Sequence, residues 1–276
     1  MHEGILSKKR VATGIKVCQV LPSQRNFHLW GFSLSGNKIF IAVAGNIGTG
    51  KTTLSRMLSD RFGWQAHFES VADNPYLSDF YENMARWSYP LQIYFLNHRF
   101  KAHQAISRGS HSAIQDRSIY EDANIFARNL VESGLMERRD YENYLDLYKV
   151  MTAFLTPPDL VIYLRKSLPQ LKSHIAKRGR EYEQSIPDQY LMDLNRYYDE
   201  WLDNYTLGKK LIIETDGMDF QHSKSDFDDI ALKIVSALDQ RDLFLESRNQ
   251  EPVSQAQLGL ELFPAEAASL KDALSI

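Results

Sequence analysis

The chain alternates short apolar runs with longer amphipathic stretches. The clearest run is Lys38-Ile39-Phe40-Ile41-Ala42-Val43-Ala44, stopped by Gly45. It shows no polar alternation, as expected of a strand buried on both faces of a parallel sheet. Further runs lie at Ala66-His67-Phe68, from His111 to Asp116, at Asp159-Leu160-Val161-Ile162-Tyr163-Leu164 and from Lys210 to Glu214. Between them the pattern predicts helices. One runs from Lys51 to Phe62 and ends at Gly63. A long one covers 77–107, where Pro90 should kink or split it. Helical segments continue to about residue 155, before Pro157-Pro158 breaks the chain. Another ends at Lys177, another starts near Pro187, and the last spans 225–247. Five strands alternating with helices predict an α/β fold: a doubly wound parallel five-stranded sheet flanked by helices.

The periodic region, 38–247, reads as one domain. Residues 1–37 carry Lys8, Lys9, Arg10, Lys16 and Arg25 against Glu3 alone. That composition suits a transit peptide or an irregular extension, and the reading adopted is an irregular N-terminal extension. Residues 248–276 lose periodicity and read as a loosely ordered tail. The chain has 276 residues, enough for one sizeable domain. Its formal net charge is −3, so stable nucleic-acid binding is not expected. A lone cysteine, Cys18, excludes an internal disulfide and fits a reducing compartment, taken to be the cytoplasm. No apolar run approaches the ~20 residues of a membrane span.

The chemistry begins at the first strand. Gly45-Asn46-Ile47-Gly48-Thr49-Gly50-Lys51-Thr52 has the spacing G-x4-G-K-[ST], between a predicted strand and a predicted helix. Such a loop points backbone N–H groups at phosphates. Lys51 brings charge to the β- and γ-phosphates of ATP, and the Thr52 hydroxyl suits Mg²⁺. The sequence lacks the Asn-Lys-x-Asp of a GTPase and an apolar strand ending in Asp-Glu, as in motor ATPases. It has Asp116-Arg117 after the third strand instead: a carboxylate for the metal and an arginine for the reacting oxygens. Glu69 follows the second run, where a carboxylate can take a proton from an attacking hydroxyl. Arg178 and Arg180 lie on a charged loop that can close over phosphates.

Together these pieces resemble the deoxynucleoside kinase family, in its deoxycytidine/deoxyguanosine/deoxyadenosine kinase branch, and look closest to bacterial members. The matching residues are Gly45 to Thr53, Glu69-Ser70-Val71, Tyr81, Arg86-Trp87, Gln92 with Arg99, Asp116-Arg117-Ser118 with Asp122, and Arg178-Gly179-Arg180 with Glu183. The resemblance implies a P-loop kinase fold with a short arginine-bearing lid loop. It implies that Glu69 is the general base on the sugar 5′-hydroxyl and that Arg117 holds that hydroxyl. Asp116 would help bind Mg²⁺ in a position where the family often has Glu. Tyr81 and Glu183 would bind the 3′-hydroxyl, and Gln92 would grip the base edge. Arg99 and Asp122 would pair at the far edge of the base. Phe126 would stack on it, with Val71 and Leu77 lining the pocket. Arg178 and Arg180 would clamp the donor phosphates, and the turn at Asp219 and Phe220 would border the donor base. Leu91 replaces a phenylalanine common before the glutamine, and Asn74 replaces a Trp found nearby in some members. The retained Arg99/Asp122 pair suits a purine or cytosine base over thymine. The implied enzyme is an ATP-dependent deoxynucleoside kinase of nucleotide salvage, and a homodimer.

Two other functions fit the P-loop alone: a kinase for another small acceptor such as a nucleoside monophosphate, and a regulatory P-loop ATPase. In the tail, Gln257-Leu258-Gly259-Leu260-Glu261-Leu262-Phe263 resembles the short peptide by which some bacterial proteins bind the replication sliding clamp. An amphipathic tail packed on its own domain is the simpler expectation.

Overall fold

The strand between Phe40 and Gly45 (β1) is buried at every position, as its unbroken apolar run demands. In the computed structural model, which describes residues 38–68 and 74–239, it is the centre of a five-stranded sheet. The others are β2 (Gln65–His67), β3 (Ala113–Asp116), β4 (Leu160–Arg165) and β5 (Lys209–Glu214). The order is β2-β3-β1-β4-β5, and each pairing is parallel. Ile41 pairs with Ile114 on one side and Leu160 on the other. Parallel neighbours require crossovers, and helices supply them on both faces. The five predicted strands are all present, each within about two residues of its expected start. This is the P-loop kinase fold.

Side chains alternate across a strand, so β1 divides two apolar layers. Ile41 and Val43 face Leu54, Leu58, Ile230 and Ile234. These come from α1 (Lys51–Phe62) and α9 (Lys224–Asp239). Ala42 and Ala44 point the other way, into a layer rich in aromatics that includes Phe126, Tyr144, Tyr163 and Tyr198. Small residues on that face leave room for large rings. Helix α1 begins at Gly50 (φ 95°) and ends at Gly63 (φ 68°). Both glycines hold left-handed backbone that a side chain would oppose.

The expected long helix over 77–107 is divided, but not at Pro90. The break is at Asn83, between α2 (Leu77–Glu82) and α3 (Met84–Arg108). The Asn83 side chain accepts from the Arg86 N–H and caps the new helix. Pro90 lies inside α3, where it removes one backbone bond without ending the helix. After β3 the chain turns into α4 (Ile119–Glu121), a π-helical stretch at Asp122–Ala127, and α5 (Arg128–Glu132). Then follow α6 (Arg138–Thr152), α7 (Leu168–Arg178), a 3-10 turn at Glu181–Glu183 and α8 (Asp188–Asp203). Among the described residues no helix is long and apolar enough to cross a membrane. The N-terminal extension, the tail with its clamp-like peptide, and the part of the last helix after residue 239 lie outside the described residues.

Candidate active site

Strands β1 and β3 deliver their carboxyl ends to one cleft of about 450 Å³, the usual ligand position in an open parallel sheet. Its walls combine the P-loop, the start of α1, the turn after β3, one face of α3, the π-helical stretch and the lid.

On the donor side Ile47, Gly48, Lys51 and Thr52 line the cleft. The Lys51 ammonium donates to the Asn46 carbonyl at 2.7 Å, inside the turn of the loop. Gly45, Asn46, Thr49 and Gly50 complete the loop, and Thr53 lies in the first turn of α1. Asn46 is fully buried: its Nδ2 donates to Leu191 O at 2.9 Å and Asn195 Oδ1 at 2.7 Å, anchoring the loop to α8. Thr49 Oγ1 donates to Asn46 O at 3.0 Å. A Cβ at Gly48 would meet Leu171 O at 3.0 Å, so α7 packs directly on the loop. Phe220 is not a cleft wall. It is buried beneath Gly50, where a Cβ would stand 2.9 Å from its ring. Asp219 faces solvent and pairs with His222 at 2.9 Å.

Thr52 Oγ1 donates to Asp116 Oδ2 at 2.5 Å, so a hydroxyl and a buried carboxylate meet beside Lys51. Both are hard oxygen donors of the kind Mg²⁺ takes. Among the described residues no cluster of three or more His, Cys, Asp or Glu could form an all-protein cage. The pair fits an ion that completes its shell with phosphate oxygens and water.

Arg117 lines the cleft between the phosphate loop and α3. It is the one described non-glycine residue with positive φ, 68°. Such backbone costs of order 1–3 kcal/mol and persists only where neighbours fix it. Here the Arg117 N–H donates to Val43 O at 3.0 Å, and its carbonyl accepts from Arg99 Nη1 at 2.9 Å. The guanidinium stacks over Phe126, 4.1 Å from the ring centre. Sterics thus aim one arginine into the cleft at the end of β3.

On the acceptor side α3 presents Gln92 and Arg99 on one face, as their spacing of seven predicts. Arg99 Nε lies 2.6 Å from Asp122 Oδ2, and both residues are nearly inaccessible. The contact is charge to charge rather than an aligned hydrogen bond. Gln92 is 3% exposed, and among the described residues its Oε1 has no hydrogen-bond partner. The Gln92 carboxamide is thus available to a ligand in the cleft. The π-helical stretch carries Asp122 and Phe126, and both reach the cleft. Leu77 and Tyr81 close the near end. Burial pushes the Tyr81 phenol well up, and nearby Tyr190 and Glu183 push it the same way, so it keeps its proton.

The lid carries a feature the sequence did not suggest. Glu183 is 5% exposed and pairs with both Arg178 and Arg180, the latter at 3.1 Å. All three line the cleft. So do Phe80, Leu91, Phe95 and Tyr190, none of which the sequence reading placed in the site. Tyr190 looks like any other core tyrosine of an amphipathic helix, so its sequence carries no distinguishing signal. Phe95, four residues before Arg99 with the guanidinium 5.6 Å from its ring, was legible in principle from helical spacing. Glu69 and Val71 lie outside the described residues.

The comparisons with known proteins agree with this geometry. The family model described as deoxynucleoside kinase matches residues 41–239. The deoxyadenosine/deoxycytidine kinase of Bacillus subtilis is 36% identical over 200 residues, covering 72% of this chain and 92% of that protein. The deoxyadenosine kinase of Dictyostelium discoideum is 41% identical over 170 residues, covering 62% of this chain and 68% of its own. A solved structure of deoxyadenosine kinase from M. mycoides superposes with a TM-score of 0.65 at 31% identity, over 72% of this chain and all of that one. With its phosphate loop, its Asp-Arg turn and its arginine-bearing lid around one cleft, the chain belongs to the deoxynucleoside kinase family.

Proposed function

We propose that this kinase moves the γ-phosphate of ATP to the 5′-hydroxyl of a deoxynucleoside, with a purine or cytosine base favoured over thymine, as a cytoplasmic step of nucleotide salvage. The observation that carries the base preference is the buried Arg99–Asp122 pair at the cleft wall, 2.6 Å apart. The pair offers a charged donor and acceptor to the edge of a purine or cytosine base, and the Gln92 carboxamide, which can present either its oxygen or its N–H₂, grips the base beside it. The names of the relatives, acting on deoxyadenosine, deoxycytidine and deoxyguanosine, support the same class.

In this reading the P-loop N–H groups and Lys51 hold the triphosphate, and Thr52 and Asp116 hold Mg²⁺, which neutralises phosphate charge when bound. Glu69 takes the 5′-hydroxyl proton while the 5′-oxygen bonds to the γ-phosphorus and the β–γ bridging bond breaks. Arg117, fixed by its backbone, steadies the attacking oxygen and the charge on the transferred group. Tyr81 and Glu183 hold the sugar, Phe126, Leu77 and Val71 the base, and Arg178 and Arg180 close on the phosphates. Replacing Gln92 by Leu tests the base assignment. The expected result is a KM for deoxyadenosine or deoxycytidine raised about tenfold or more, as for loss of a buried polar contact of ~1.5–3 kcal/mol. An unchanged KM removes Gln92 from base recognition.

The exposed apolar side chains Leu147, Val150 and Phe154 on and just beyond α6 support a homodimer formed through this face. Light scattering should give twice the chain mass; the mass of one chain at micromolar concentration contradicts the dimer.

A further inference from the structure

Glu121 is fully buried, and its contacts among the described residues are all to neutral donors. Oε1 accepts from the Ser118 N–H at 2.7 Å and from Ser118 Oγ at 3.3 Å. That half closes a capping box at the start of α4 and would account for the residue by itself. A capping box needs one oxygen only. The second, Oε2, accepts from the Tyr198 hydroxyl at 2.7 Å and from the Gly45 N–H at 3.3 Å. Gly45 is the first residue of the phosphate loop, held at φ 149°. Ser118 directly follows Arg117, held at φ 68°. One carboxylate therefore ties the first residue of the phosphate loop to the residue that follows the strained Arg117. The carbonyl of Gly45 completes the clasp: it is 2.8 Å from the Tyr198 hydroxyl and accepts from Arg117 Nη2 at 3.4 Å.

We propose that Glu121, with Tyr198 behind it, is a positioning residue that sets the spacing between the phosphate loop and Arg117. It is fully buried and does not line the cleft. Its work is to fix two backbone turns against each other, so that the phosphate cradle and the arginine stand at reacting distance. This rests on the kinase reading above for its catalytic consequence, but not for its structural one. A carboxylate is acceptor-only, and four donors converge on it. A glutamine of the same shape has one acceptor oxygen and one donor nitrogen, so either the Ser118 or the Gly45 N–H must lose its partner.

The test compares Glu121→Gln and Tyr198→Phe with the wild type. The first readout is hydrogen exchange. Peptides covering the start of the phosphate loop and those covering 116–118 should both exchange at least tenfold faster in Glu121→Gln, while β5 is unchanged. The second is turnover at saturating substrates, well below the melting temperature. Here kcat should fall at least tenfold for Glu121→Gln and severalfold for Tyr198→Phe, with the two KM values moving less than threefold. A lower melting temperature with exchange at the phosphate loop and kcat both unchanged would make Glu121 a helix cap only and overturn the proposal. The exchange result stands whether or not the wild type phosphorylates a nucleoside, so a failure of the kinase reading would show in wild-type turnover alone.

Discussion

Arg117→Ala is expected to lower kcat by roughly 10²- to 10³-fold, about 3–4 kcal/mol of transition-state stabilisation, while leaving the melting temperature within a few degrees. The reasoning starts from the backbone. A positive φ at an arginine is tolerated because Val43, Arg99 and Glu121 fix the groups around it. Nothing about an ordinary loop calls for such an arrangement, and it places the guanidinium on Phe126 at the mouth of the acceptor pocket. Alanine loses the charge, the planar donor fork and the stacking contact together. Arg117→Lys separates them: it keeps a charge but not the fork, and should recover only part of the rate. Steady-state kinetics at saturating ATP and acceptor measure this. A loss below threefold for Arg117→Ala would remove Arg117 from the reaction.

Arg99→Met should instead act on stability. It takes the guanidinium away from the carboxylate of Asp122, whose side chain is about 2% exposed. Breaking a buried pair from one side typically costs about 3–5 kcal/mol. For a domain of this size that is a fall of roughly 10 °C in melting temperature. The loss should extend to activity, because Arg99 also donates to the carbonyls of Asp116 (3.3 Å) and Arg117 (2.9 Å). The double change Arg99→Met with Asp122→Leu should regain much of the stability, since well-packed apolar pairs often match buried ion pairs. It should not regain turnover, because the hold on Arg117 is gone. Thermal melts of the two variants decide it: equal destabilisation of single and double variants would mean the ion pair is not the source.

The phosphate loop and the Asp116-Arg117 turn were readable from sequence because each is local: a strand, a fixed spacing and a helix. The same holds for α1, whose two terminal glycines mark its ends. The break at Asn83 rather than Pro90 shows where local rules compete. A side-chain cap starts a new helix more decisively than one proline inside a long helix ends it. Gln92, Arg99 and Asp122 were placed by family resemblance, and helical spacing could show only that the first two share a face. The clasp of Glu121 with Gly45 joins residues 76 apart in the chain, and Tyr198 reaches the same carboxylate from 77 away. Contacts of that range have no signature in spacing or periodicity. The pairing of Glu183 with both lid arginines lies within five residues, yet a run of alternating charge reads equally as a solvated turn. The missing side chain of Gly50 leaves room for the Phe220 ring under the loop, a contact 170 residues apart in the chain that periodicity does not reveal.

The central claim, a deoxynucleoside 5′-kinase with a purine or cytosine acceptor, is tested most directly by phosphoryl transfer from ATP and Mg²⁺ to deoxyadenosine, deoxyguanosine, deoxycytidine and thymidine, with the ribonucleosides and monophosphates alongside. The account predicts a 5′-monophosphate from at least one of the first three, at a kcat/KM at least tenfold above that for thymidine. No 5′-phosphorylation of any nucleoside, or thymidine as the preferred acceptor, would contradict it.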